Sequence, residues 1–288
     1  SLAYINHNRN ATNDSYLNDY MATHNDTVPD LRDMRPYLAD ENSLTSTLTF
    51  STNIKNHNLI VGIQNFYDKL EESGMYVVVD ESSNYMGKSY RSVAYKSARE
   101  IGLFLQDEWA INDKLMIVPG IRVDNHHSEE EYISDQQVFE TTVFPKTNFE
   151  ETAVNPRLAI KYKLSEKFTV RANAGTGFRA PYGFSEDLHL CSGSPRVWKS
   201  SDLNPETSKS YNLSLDYYAK TIRISANMFR TNLKNKIGFT DADENIAVLG
   251  YDYQWKNIDD AFVHGIELSV VSNLTKNLAM GVDLTYNQ

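Results

Sequence analysis

The chain has 288 residues, 41% of them hydrophobic, and a formal net charge of −10. Mean hydropathy is negative, and no window approaches the roughly 20 consecutive apolar residues of a spanning helix, so a bundle of transmembrane helices is excluded. The acidic balance leaves no basic stripe to neutralise phosphates, which argues against nucleic acid as a partner.

Leu2 to Ile5 reads as a strand, and Leu44 to Phe66 as a hairpin turning near Asn53 to Asn58. In the next hairpin Ile101, Leu103, Leu105, Trp109 and Ile111 run opposite Gly102, Phe104, Gln106 and Glu108. The chain then turns at Asn112-Asp113-Lys114 into Leu115, Ile117, Pro119, Ile121 and Val123, with Arg122 and Asp124 on the partner face. Alternation is cleanest from Val154 to Phe178. Val154, Pro156, Leu158, Ile160, Tyr162 and Leu164 are apolar, Ser165-Glu166-Lys167 turns, and Phe168, Val170, Ala172, Ala174 and Phe178 resume the apolar face. Tyr211 to Met228 repeats the pattern about Ala219-Lys220-Thr221, and Ile266 to Tyr286 repeats it about Asn273 to Asn277. Because strand side chains point alternately to the two faces, each hairpin is oily on one face only. This predicts about eleven strands of roughly ten residues, the length of tilted membrane strands.

The connections sort into two classes. Turns within hairpins are short, whereas residues 10–42, 67–98, 125–152, 179–208 and 234–260 form long polar connections. Compact domains seldom carry so many long connections. Short turns at one end and long loops at the other is the plan of an outer-membrane barrel, and its low hydropathy follows because only alternate strand residues meet lipid. Tyr162, Tyr217 and Tyr286 fall near strand ends, where an interfacial girdle would place them.

Other motifs carry less. Cys191 has no second cysteine in this chain to pair with, and nearness in sequence to His189 and Asp187 does not make it a nucleophile. Gly175-x-Gly177-x-x-Ala180 follows a strand as a dinucleotide fingerprint does, yet Pro181 and Gly183 offer no opening helix. Asp241 to Asn245 reads as a solvated acidic loop lacking the glycine and distant glutamate of a calcium loop. His126-His127 with Glu129 to Glu131 reads as a surface loop, since adjacent strand residues would point apart. No metal site or cofactor is expected. Ser1 begins directly in strand-like sequence, so the natural N-terminus is expected to lie upstream.

Several blocks resemble the barrel of TonB-dependent outer-membrane receptors. They are Phe104 to Trp109, Asn155 to Ala159, Gly175 to Pro181, Ser201 to Ser208 with Tyr211 to Tyr217, Tyr253 to Asn257, and Val263 to Leu268, in the family's order. The resemblance covers about residues 101–287 and implies an all-β, antiparallel transmembrane β-barrel. Residues 1–288 would be part of that barrel domain, about half of a barrel of roughly 22 strands, with the plug absent. It implies an outer-membrane receptor taking up a scarce metal chelate, not an enzyme, with outer-membrane lipid around it and the TonB energy complex acting through the plug. Phe178, Arg179, Ala180, Pro181, Leu203, Pro205 and Glu206 would be structural. Haem receptors of the family are similar in placing a histidine where His189 stands, although Ser200-Ser201 replace their Asn-Pro; siderophores and cobalamin stay open.

For the chelate, His189, Arg196, Trp198 and Lys199 combine a soft ligand, cations and an aromatic face in the loop after Pro181. The alternative is a soluble or surface-exposed all-β binding protein, such as an adhesin or carbohydrate-binding module, which would bury its apolar face against a second sheet. A barrel hydrolase would need an inward nucleophile and base, and none stand at a convincing spacing.

Overall fold

The computed structural model describes residues 1–11, 18, 21–23, 25, 37–77, 89–134, 146–181, 197–200, 202–248 and 253–288. Fourteen strands are described: β1 (Leu2–Ala11), β2 (Tyr37–Ile54), β3 (His57–Val77), β4 (Ser89–Ala110), β5 (Leu115–Ser134), β6 (Thr147–Lys163), β7 (Phe168–Arg179), β8 (Val197–Lys199), β9 (Glu206–Tyr218), β10 (Ile222–Lys234), β11 (Ile237–Asp241), β12 (Tyr253–Asn257), β13 (Ala261–Thr275) and β14 (Leu278–Asn287). One helical turn, α1 (Glu244–Ala247), lies between β11 and β12.

An antiparallel sheet of 11 strands runs in the order β1-β2-β3-β4-β5-β6-β7-β9-β10-β13-β14. Each of its strands pairs with its sequence neighbours in the sheet, while β1 and β14 pair on one side only. The sheet is therefore an open segment of barrel wall. All five hairpins stand where alternation placed them, and turn chemistry explains why. Lys55 adopts a left-handed φ of 56°. The Asn112 side-chain oxygen accepts from the N–H groups of Lys114 and Leu115 at 2.9 and 3.0 Å. Ser165 Oγ accepts from Lys167 and Phe168, both at 3.2 Å. Such side-chain mimics of a backbone turn fix register at that end.

The strands are longer than alternation of apolar residues predicts. β3, β4 and β5 have 21, 22 and 20 residues. The apolar pattern stops where lipid stops, but ladder hydrogen bonds do not require it, so pairing continues into stretches that read as loops. His126 and His127 are corrected accordingly. They lie on β5, paired with Glu100 and Arg99 of β4.

The polarity of the wall is inverted. Val154, Leu158, Ile160, Leu213, Leu215, Met228, Ile266, Met280 and Leu284 are all 37% exposed or more. Asp68, Glu72, Lys96, Asp124, Glu130 and Asp216 are at most 6% exposed. No second sheet covers the apolar face among the described residues, which removes the sandwich alternative. On β7 that face runs from Phe168 to Phe178. Ten residues span about 34 Å along the strand, or about 26 Å along the normal at a tilt of about 40°, matching an apolar band of about 25 Å. Phe168 packs on Tyr217 with centroids 4.8 Å apart, so it belongs to the girdle at the short-turn end.

The sorting of loops makes a sidedness prediction. In the full receptor on intact cells, labels at single cysteines within residues 241–245 should react, and those at 165–167 or 219–221 should stay protected until the outer membrane is opened. The reverse pattern would invert the barrel.

Candidate receptor wall and rim platform

Two polar zones are built on this frame. The first is the inner wall. Arg122 grips Asp124 through two contacts, Nε to Oδ2 at 2.9 Å and Nη2 to Oδ1 at 2.6 Å, and its Nη2 also reaches Glu100 at 3.5 Å. Gly102 faces this fork, and a Cβ there would collide with Arg122 and Asp124. On β7 and β9, Arg171 Nη2 lies 2.9 and 2.7 Å from the two oxygens of Asp216, which also accepts from Ser225 at 2.8 Å. Farther from the short turns, Lys96 pairs with Glu72 at 3.3 Å, both side chains within 1% of full burial, and the Tyr37 hydroxyl donates to Glu72 at 2.6 Å. Two interior glycines have aromatic partners: Phe104 lies over Gly62 and Phe229 over Gly265, each directly opposite in register. The aromatic ring covers backbone that the glycine leaves bare.

The histidine pair divides across the wall. His126 faces inward, 3.5 Å from Glu100 and against Phe149, with ring centroids 6.1 Å apart. His127 lies 3.6 Å from Glu129. The two imidazoles are split between the faces, as neighbours on a strand must be.

The second zone is a three-stranded sheet at the long-loop end, in the order β11-β12-β8, which apolar alternation gave no sign of. β8 pairs with β12 in parallel, setting Trp198 opposite Gln254 and Lys199 opposite Trp255. Two connections far apart in sequence are thereby bound into one body. Phe239 stacks on Tyr253 with centroids 5.0 Å apart and meets Trp255 edge-on at 5.5 Å. Ile237 and Leu203 form a small core beneath, with Phe149 and Trp255 against it. Phe239 and Tyr253 stay 46% and 40% exposed, so the platform presents aromatic faces. Tyr253 to Asn257 stands out in the sequence as a family-like block, but nothing in it indicates a pairing with Phe239. Asp243 sits at the start of α1, where Lys256 Nζ reaches both its oxygens at 2.7 and 3.0 Å. This bond, with a second from Gln254, holds the Asp243 carboxyl below the usual carboxylate range.

The sequence-predicted residues fall as follows. Arg179 ends β7 and holds Glu206, the first residue of β9, at 2.9 Å. Glu206 also accepts from the Ile237 N–H at 3.1 Å, tying the barrel to the platform. Pro181 and Leu203 are buried, Phe178, Ala180 and Pro205 half-buried. The Pro205 carbonyl accepts from Asn235 at 3.4 Å. Trp198 is half-buried on β8. His189, Cys191 and Arg196 lie outside the described residues, as does the side chain of Lys199. In the glycine pattern after β6, Gly177 faces Ser208, Gly175 faces Arg157, and the strand continues to Arg179 where a fingerprint would open a helix.

Known proteins agree with this architecture. The iron-regulated outer membrane virulence protein of Vibrio cholerae is 26% identical over 259 residues, covering 85% of this chain and 34% of its own length. The ferric enterobactin receptor of Pseudomonas aeruginosa is 26% identical over 212 residues, covering 66% of this chain and 25% of its own. The chain thus spans about a third or less of the curated relatives it matches. A solved structure of the copper transporter OprC has the same fold, with a TM-score of 0.70 at 16% identity, over 99% of this chain and 42% of that one. The family model described as TonB dependent receptor-like, beta-barrel, matches residues 1–288. The chain therefore belongs to the TonB-dependent receptor family of the bacterial outer membrane, as a stretch of its β-barrel.

Proposed function

We propose that this wall serves a receptor that captures a scarce metal chelate at the rim and passes it inward. The TonB energy complex drives transport through a plug outside this chain, and no bond in the cargo is made or broken. The observation that carries this reading is the parallel pairing of β8 with β12, which sets the segment of Trp198 and Lys199 against an aromatic platform. Aromatic faces beside cations suit an anionic, ring-bearing chelate. Siderophore iron is favoured among the cargoes because relatives of this stretch carry names of iron-regulated and ferric enterobactin proteins. His189 and Arg196 complete the proposed contact set.

The test is binding by the full receptor. Replacing His189 and Trp198 together by alanine is expected to weaken ferric siderophore capture at least about tenfold, or about 1.4 kcal/mol. The yield of heat-modifiable folded barrel should not change. Unchanged capture of ferric siderophores, haem and cobalamin would make this loop a scaffold.

A further inference from the structure

We infer that Lys209, Arg230 and Lys234, flanked by Phe262 and His264, bind the phosphorylated headgroup of an outer-leaflet lipid. All five occupy outward positions on β9, β10 and β13. The same columns carry the apolar belt, with Leu213 opposite Met228 and Met228 opposite Ile266. One rung toward the long loops, Tyr211 pairs with Arg230 and Arg230 with His264. The next outward rung pairs Lys209 with Asn232 and Asn232 with Phe262, and the next holds Lys234. The cations therefore begin where the lipid-facing surface ends, at headgroup level.

Their spacing suits one multivalent anion. Arg230 and Lys234 are four residues apart, about 13 Å, and Lys209 stands about 5 Å to the side, opposite the residue midway between them. All three are exposed, and none forms an ion pair among the described residues. The arginine is held in place. Its Nε donates to Asn232 at 2.9 Å, and its guanidinium lies over the Phe262 ring at 4.8 Å. Phe262 in turn stacks on His264 at 5.5 Å. This fixes Nε and the plane of the fork while the terminal nitrogens stay open to a phosphate, the geometry in which arginine binds two oxygens at once.

Charge varies around the wall. Beyond the apolar belt, the outward positions of β5 and β6 carry Glu129, Glu131 and Glu150, and those of β3 and β4 carry the single cations Lys69 and Arg99. Three cations gather on β9 and β10. Asp259 and Asp260 precede β13. Asp260 adjoins Ala261, the partner of Leu233, and accepts the Asn235 N–H at 3.3 Å, so its charge lies at the Lys234 end of the patch and away from Arg230. In a chain of net charge −10, three cations contiguous with a lipid-facing surface are complementary to lipid phosphate.

The test uses the full receptor in neutral detergent micelles doped with a bis-phosphorylated glycolipid, read by thermal protection and by phosphorus retained after washing. The variant Lys209→Gln/Arg230→Gln/Lys234→Gln is expected to bind at least about tenfold more weakly, with unchanged heat-modified migration. Lys167→Gln/Lys220→Gln, at the short-turn end, should bind like the wild type. The inference is overturned if the triple variant binds within about twofold of wild type, if the dephosphorylated glycolipid protects equally, or if inorganic phosphate at the same concentration gives the same protection, since a free anion site would need no membrane.

Discussion

Replacing Leu158 by arginine is expected to destabilise the receptor by about 2 to 4 kcal/mol, measured as reversible unfolding in lipid bilayers. Leu158 stands on the outward face between Pro119 and Ala174, 44% exposed, with apolar outward residues on both sides along β6. A guanidinium there meets hydrocarbon at mid-depth. Asn173→Arg, one strand away on the inner face beside Asn212, meets the polar interior and should cost under about 1 kcal/mol. Only the direction of the side chain separates the two, so equal penalties would refute the assignment of faces.

The second large effect is expected inside. Lys96→Ala should cost about 3 to 5 kcal/mol, because it leaves the Glu72 carboxylate without its ammonium where neither side chain is more than 1% exposed. The Tyr37 hydroxyl remains as a donor to Glu72, but a bond from a neutral hydroxyl recovers only part of what the ammonium supplies. Lys96→Met/Glu72→Leu removes both charges together and should recover most of the loss, as buried pairs exchanged for apolar residues of similar volume generally do. Urea unfolding of the full receptor would separate the outcomes. A single variant within about 1 kcal/mol of wild type would mean that water reaches the pair.

What the sequence made legible follows from which residues meet lipid. Leu158, Ile160, Leu213 and Met228 alternate because hydrocarbon demands it, so the five hairpins and their turns could be read from the pattern. The upper parts of β3, β4 and β5 could not, since at Glu72, Lys96 and Glu130 both faces are polar and period two is lost. For the same reason His126 reads as loop although it is buried at 8% exposure. The platform was hidden differently. β8 has three residues, Val197–Lys199, and its partner β12 begins more than 50 positions later. A parallel pairing of that size leaves no local signature. Of the proposed ligand set, Trp198 and Lys199 follow from loop composition, and Tyr253 stands in a family-like block, whereas its stacking on Phe239 became visible only once the strands were paired.

The inverted wall has a consequence for how such a chain reaches its destination. In β6, Arg157, Lys161 and Lys163 interrupt Val154, Leu158 and Ile160. On a membrane-insertion scale the three cations oppose helical insertion by about 9 kcal/mol, against about 1.5 kcal/mol favouring it from the aliphatic residues. No segment of this kind would be retained by machinery that stops at continuous greasy stretches. Before its strands pair, such a chain is an acidic, water-compatible thread. Its capacity to dwell in lipid is conferred by strand pairing, which gathers scattered single residues onto one surface, and so arises only at the site of final assembly.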